Sequence, residues 1–257
     1  MRDLRVPPRR PAGRPVVWAH RGARQELPEN TIAAFERALD VGADAIETDA
    51  RLTRDGAVVL FHDADGARVA RRAARVADTT LDELASWDVG HALGQAGRGH
   101  RAPTLDDALV TLPEVSFNVD VKDGTAAAVD AVIEVVRARG AEERVLLTGF
   151  DARTPALARA RGYAGPIGAG VADVLSLLGR RASSLGPRAL PCDAVQVPTH
   201  LGPLPTPVAA LVARCRRAGV RLDVFTVDEP DRALALAALG VDGVMSDDPR
   251  AVAAAFA

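Results

Sequence analysis

The sequence predicts an α/β chain whose strands close into a (β/α)8 TIM barrel, and three observations point there. Short β-rich runs alternate with longer helical patterns along most of the chain, which implies a parallel sheet with crossover helices. The chain has 257 residues, about the length of one such barrel. No Gly-x-Gly-x-x-Gly follows the first strand, so a doubly wound open sheet for dinucleotides is the second choice. A single domain over residues 1–257 is expected.

The elements follow in order. Residues 16–19 read as a first strand. Residues 30–41 read as a helix, with Asn30 as N-cap and Gly42 as the stop. Residues 45–52 and 58–61 read as strands around an Asp55-Gly56 turn. Residues 64–102 break the rhythm: they are charged, Gly-rich and weakly periodic, with a short helix expected at 81–87. This segment reads as an insertion after the His62 strand, over one end of the domain. Strand runs resume at 115–121, 145–148, 167–169, 194–197, 222–227 and 243–245. Helical patterns intervene at 126–139, 153–161, 171–178, 207–218, 231–239 and 249–256.

Composition excludes several classes. The formal net charge is −2, against a nucleic-acid binder that relies on a broad basic surface. Aromatic residues are scarce, against base-stacking platforms. Cys192 and Cys215 stand far apart with no metal spacing, so two free thiols in a reducing compartment are expected. Residues 1–15 are rich in Arg and Pro, lack an apolar run, do not form a secretory signal and are expected to be flexible. No stretch approaches the ~20 apolar residues of a membrane span. A cytoplasmic location follows as the expectation.

Polar residues collect where apolar runs end. His20 follows the first run and His62 another. Glu47 and Asp49 lie two apart in a strand and so share a face. Asn118, Asp120 and Lys122 alternate in the same way. Carboxylates at alternate positions of an apolar strand are costly unless something pairs them. Three of them suit a hard cation, Mg2+ or Ca2+, which prefers oxygen ligands. Each residue also has a plainer reading. A strand-end histidine can be structural, Glu47 and Asp49 can be ion-pair partners, and Arg21 can be a surface charge. Lys122 can pair with Asp120, and Glu29 and Asn30 can serve only as helix-start residues.

The motifs together resemble a known family. His20-Arg21-Gly22, Pro28-Glu29-Asn30-Thr31, Gly42-Ala43-Asp44, Glu47-x-Asp49, Thr53-x-Asp55-Gly56 and His62-Asp63 are similar, in order and spacing, to the glycerophosphodiester phosphodiesterase signature. Pro103-Thr104-Leu105-Asp106, Phe225-Thr226-Val227-Asp228 and the run from Gly240 through Ser246-Asp247 to Pro249 resemble its later segments. The resemblance spans nearly the whole chain.

It implies a (β/α)8 barrel, a divalent metal and hydrolysis of glycerophosphodiesters to an alcohol and glycerol 3-phosphate. By position, His20 and His62 match the acid–base histidines, and Glu47, Asp49 and Asp120 the metal ligands. Arg21 and Lys122 match phosphate-contacting positions, and Phe225 an aromatic residue of the substrate pocket. Asp120 is one methylene shorter than the usual Glu. Phe225 lacks the indole N–H of the usual Trp, and Asp228 replaces Asn and reads as a turn residue. After His62 the usual run gives way to Arg68, Arg71, Arg72 and Arg75, read as a solvated face rather than an anion funnel. The implied partner is a small-molecule glycerophosphodiester, without nucleic acid or stable membrane insertion; a homo-oligomer is left open. Two other functions compete: a lysophospholipase D-like or cyclising phosphodiesterase, which an exposed apolar rim near the insertion would favour but the mostly charged residues 64–102 disfavour, and a non-catalytic phosphodiester-binding barrel, disfavoured by the presence of both histidines.

Overall fold

The computed structural model describes residues 14–149, 152–181, 184–187 and 189–257. The N-terminal stretch expected to be flexible lies, as far as residue 13, outside the described residues. Apolar alternation starts the sheet at β1 (Val16–His20), where all but His20 are buried. Then come α1 (Ile32–Asp40), β2 (Ala45–Leu52) and β3 (Val58–Leu60). After the insertion the chain continues with α2 (Leu105–Thr111), β4 (Phe117–Val121), α3 (Ala126–Ala138), β5 (Val145–Thr148) and α4 (Arg153–Ala160). It closes with α5 (Val171–Gly179), β6 (Ala194–Pro198), α6 (Val208–Ala218), β7 (Arg221–Phe225), α7 (Pro230–Leu239), β8 (Gly243–Ser246) and α8 (Pro249–Ala255).

The parallel strands pair in the order β5-β4-β2-β1-β8-β7-β6. The expected strand at 167–169 is reduced to two parallel bridges, Leu147 to Ile167 and Gly168 to Ala194. Those bridges join the two ends of the sheet and complete a ring of eight positions. The (β/α)8 reading holds, with the helices on the outside.

One strand lies off the parallel order, as the Asp55-Gly56 turn predicts. β3 pairs antiparallel with β2, Ala50 opposite Leu60 and Leu52 opposite Val58, outside the barrel. The reason is connection length: a parallel crossover needs about a dozen residues or more, and residues 53–57 supply only a hairpin. Gly56 takes the positive φ of +86° that the turn requires. The hairpin returns the chain to the mouth, so His62 arrives there from the reverse direction.

Asn30 departs from its expected cap role. Thr31 is the N-cap of α1, its hydroxyl accepting from the Ala34 N–H. Asn30 precedes it at φ +55°, buried, with its side chain turned into the barrel mouth.

The 64–102 segment carries a core of its own. Val69, Val76, Leu84 and Trp87 pack with Val59 and Phe61 of the hairpin, and Phe61 meets Trp87 edge to face at 6.0 Å. A capping box between Thr80 and Glu83 starts its helix Leu81–Ala85. Within the barrel, Val16, Trp18, Leu146 and Met245 form the interior layer. Larger apolar layers lie between sheet and helices, one holding Phe35, Ile46, Phe117 and Leu147. Cys192 and Cys215 are free and buried there, and burial pushes both thiols up to about 12.

Candidate active site

The site grows from strand register. In β1 and β2, His20 lies beside Glu47. In β2 and β4, Glu47 lies beside Asn118 and Asp49 beside Asp120. Five polar side chains therefore share one wall of the mouth. Glu47 is 4 % exposed and Asp49 fully buried, so both need compensation.

Asp49 has three partners. Lys122 Nζ is 2.8 Å from its Oδ1, and Asn30 Nδ2 donates to its Oδ2 at 2.9 Å. Arg21 Nε lies 3.0 Å from the same oxygen, close but off the hydrogen-bond line. Burial works against the Asp49 charge, yet Lys122 and Arg21 hold its carboxyl below the usual range. Glu47 goes the other way: burial and the Asp49 charge raise it, with His20, Lys122 and Arg21 only partly opposing. Arg21 and Asn30 both adopt positive φ, uncommon for residues with side chains. Their bonds to these carboxylates hold that backbone in place: the Arg21 N–H donates to the Glu47 carboxylate at 3.1 Å. Gly22 follows at φ +83°, and a Cβ there would lie 2.7 Å from the Ala34 carbonyl carbon.

Each histidine is held by an aspartate. His20 Nδ1 is 2.5 Å from Asp247 Oδ1, and its Nε2 lies 3.8 Å from Glu47. His62 Nδ1 is 2.7 Å from Asp63 Oδ1. In both rings this leaves Nε2 as the nitrogen able to exchange a proton with a bound molecule. Their environments differ. Burial lowers His20, but Glu47 and Asp247 outweigh it and its pKa is raised. Burial dominates at the half-buried His62, and its pKa is lowered.

Arg68, from the insertion, bonds Glu29 twice, at 2.7 and 2.8 Å, and Asp63 at 2.6 Å. It locks the insertion onto the loop after β1 and steadies the aspartate behind His62. Arg71, Arg72 and Arg75 are exposed, as expected of a solvated face.

The three expected metal ligands fit a hard cation in kind, since all are oxygen donors. Asp120 Oδ1 is buried and accepts no hydrogen bond, an unmet demand for a positive partner. The Lys122 ammonium lies between two of the carboxylates, 2.6 Å from Asp120 and 2.8 Å from Asp49. The ion pair read from sequence is thus present, and among the described residues no three such groups converge at ligand spacing. A cation held by Glu47, Asp49 and Asp120 would need the Lys122 ammonium to move aside.

A cavity of about 340 Å3 opens over this wall, lined by His20, Glu47, Asp120 and Phe225 among others. Arg21 and Lys122 stand behind it on Asp49. His62 stands beside it, with Glu29, Asn30 and Arg68. Four contributors were missed in the sequence. Asp247 and Asp63 orient the histidines, and Asn30 and Arg68 hold the carboxylates. Asp228 exceeds its expected turn role as well. Its Oδ1 accepts from the Ser246 hydroxyl and from the Asp247 N–H, which fixes the residue that holds His20.

The profile of the glycerophosphoryl diester phosphodiesterase family matches residues 20–251. The chain belongs to that family. Its relatives there include a glycerophosphodiester phosphodiesterase of Caldanaerobacter subterraneus, 32 % identical over 91 % of this chain and 94 % of the relative. A Mycobacterium tuberculosis protein, named probable glycerophosphodiester phosphodiesterase 2, is 36 % identical over 90 % of this chain and 87 % of its own. Among solved structures, an Oleispira antarctica phosphodiesterase in complex with the product sn-glycerol-3-phosphate superposes with a TM-score of 0.81. It is 26 % identical, covering 95 % of this chain and 98 % of that one. The family match takes in every candidate residue from His20 to Asp247.

Proposed function

We propose that this family member hydrolyses glycerophosphodiesters to an alcohol and glycerol 3-phosphate, with His20 and His62 as its acid–base pair. The observation that carries the reading is the paired arrangement at the mouth. Two histidines, each held at Nδ1 by an aspartate, flank one wall of carboxylates and cations. Their opposite pKa directions suit one group that gives a proton and one that takes it. The product bound to the Oleispira protein supports the same reading by likeness.

In this mechanism Arg21 and Lys122 attract the phosphate and offset charge that develops on its oxygens. One histidine takes the proton of the nucleophile, a water or the neighbouring glycerol 2-hydroxyl. The other gives a proton to the departing alkoxide. Attack by the 2-hydroxyl yields a cyclic phosphate first, which water then opens. Glu47, Asp49 and Asp120 would hold the divalent cation, Mg2+ or Ca2+, which when bound supplies Lewis-acid neutralisation of the phosphate. Phe225 packs against the organic part of the substrate in the cavity.

The test is an assay of the purified protein on glycerophosphocholine, with and without EDTA, reading released glycerol 3-phosphate. Metal-dependent release is expected. No release under any metal condition refutes the reading.

A further inference from the structure

Two side chains that line the cavity carry a buried polar atom with no hydrogen-bond partner among the described residues: Asp120 at Oδ1 and Gln196 at Nε2. The first is an acceptor and belongs to the carboxylate wall. The second is an amide donor, and nothing in the reaction above uses it. A buried donor left unpaired costs stability. One that lines a cavity is satisfied when a bound molecule brings an acceptor.

Gln196 is held in place by a short chain of hydrogen bonds. Thr148 Oγ1 donates to Asn118 Oδ1 at 3.0 Å, the nearer of its two acceptors. Asn118 Nδ2 donates to Gln196 Oε1 at 3.2 Å. The bonds link β4 and β5 to β6 and all run in one direction. They end on the Gln196 NH2 group, which carries two N–H donors. With its carbonyl engaged, the amide presents nitrogen at its free end. The lack of a side chain at Gly168, between β5 and β6, leaves the room: a Cβ there would lie 2.5 Å from Thr148 Cγ2.

Ring order decides what the donor meets. With the 167–168 bridges as the eighth position, β6 stands directly across the ring from β2. β2 carries Glu47 and Asp49, and the Arg21 and Lys122 cations stand on Asp49. A phosphate drawn to that side leaves one ester arm to cross the cavity towards β6. The volume of about 340 Å3 gives that arm room, within the range of about 300–1,000 Å3 of small-molecule sites. Glu47 and Asp120 line the same cavity and repel a second anion, while Ala169, Val174 and Leu178 surround the far end with apolar groups. A quaternary ammonium offers the amide no acceptor. An uncharged hydroxyl does.

We propose that Gln196 is a specificity-determining residue that donates to a hydroxyl oxygen of the departing alcohol, so that the chain favours glycerophosphodiesters with polyol head groups. The proposal rests on the phosphodiesterase reading above. Asn118 and Thr148 are positioning residues that fix which way the amide points.

The test measures kcat/KM of the full chain, with Mg2+ or Ca2+ present, on two esters of glycerol 3-phosphate, the glyceryl and the propyl ester. They differ only in the head-group hydroxyls. The glyceryl ester should be favoured about tenfold, since a site that pairs a substrate hydroxyl discriminates against the analogue lacking it. Gln196→Met keeps the length of the side chain and removes the amide, and the preference should vanish. Leu234→Gln, exposed on α7, should keep it. Circular dichroism reads the fold of each variant. Equal kcat/KM of the parent protein for the two esters overturns the hydroxyl subsite without any variant and spares the phosphodiesterase reading. A preference that survives in folded Gln196→Met assigns the hydroxyl to another group and overturns it too. Turnover of neither ester by the parent protein refutes both readings.

Discussion

His20 and Asp247 meet at 2.5 Å across 227 positions of sequence, joining the first barrel strand to the loop after the last. The aspartate fixes the ring so that Nε2 faces the carboxylate wall. Asp247→Asn keeps the shape and removes the charge that favours the imidazolium. Turnover should fall about tenfold or more, and the pKa assigned to His20 in the pH–rate profile should move down. A profile identical to that of the parent protein counts against this role.

His20→Ala and His62→Ala should each reduce kcat by about 10²–10⁴-fold, the usual worth of general acid–base catalysis. Both rings lie at the mouth and outside the apolar core, so melting temperature should change little. Circular dichroism with steady-state kinetics reads both. A folded variant with near-normal turnover removes that histidine from the mechanism.

Asp120→Asn separates ligation from a simple ion pair. The Lys122 contact alone predicts that metal affinity stays unchanged and only local stability moves. Ligation predicts weaker divalent-cation binding in a folded protein. Isothermal titration with Mg2+ and Ca2+ gives the answer, and chelation of the parent protein should abolish turnover that either ion restores.

Arg68→Gln should alter the response to acid. Burial tends to raise the Glu29 carboxyl, but Arg68, Arg21 and Arg24 hold it below its ordinary value; Asp63 is lowered by Arg68 and His62 in the same way. A carboxylate with a depressed folded pKa contributes stability above its unfolded pKa, about 4.3 for Glu and 3.9 for Asp. That contribution fades as pH falls through the folded value. The parent protein should therefore melt higher than the variant near pH 7, and the gap should close towards pH 3. A gap constant over that range would argue against the clamp.

Much of the fold was legible because the barrel repeats one simple pattern. The run at 145–148 matches β5 residue for residue, and the helix expected at 126–139 ends within one residue of α3. The direction of β3 was legible from the Asp55-Gly56 turn, since so short a connection joins antiparallel strands. Glu47, Asp49 and Asp120 could be found because alternation within one strand is local. Asp247 could not, because its partner lies in β1 and only closure of the barrel brings them together. Asn30 was mistaken for a cap because Asx residues suit both cap and left-handed positions.

The hairpin that delivers His62 has a consequence for how the protein fails on heating. His20 is anchored in a central strand, whereas His62 hangs on β3 and on the small satellite core around Trp87. Fewer apolar contacts support that satellite, so it opens at lower cost than the barrel. Warming should then uncouple the proton partners while the barrel still stands, and the temperature of half-inactivation should lie below that of global melting.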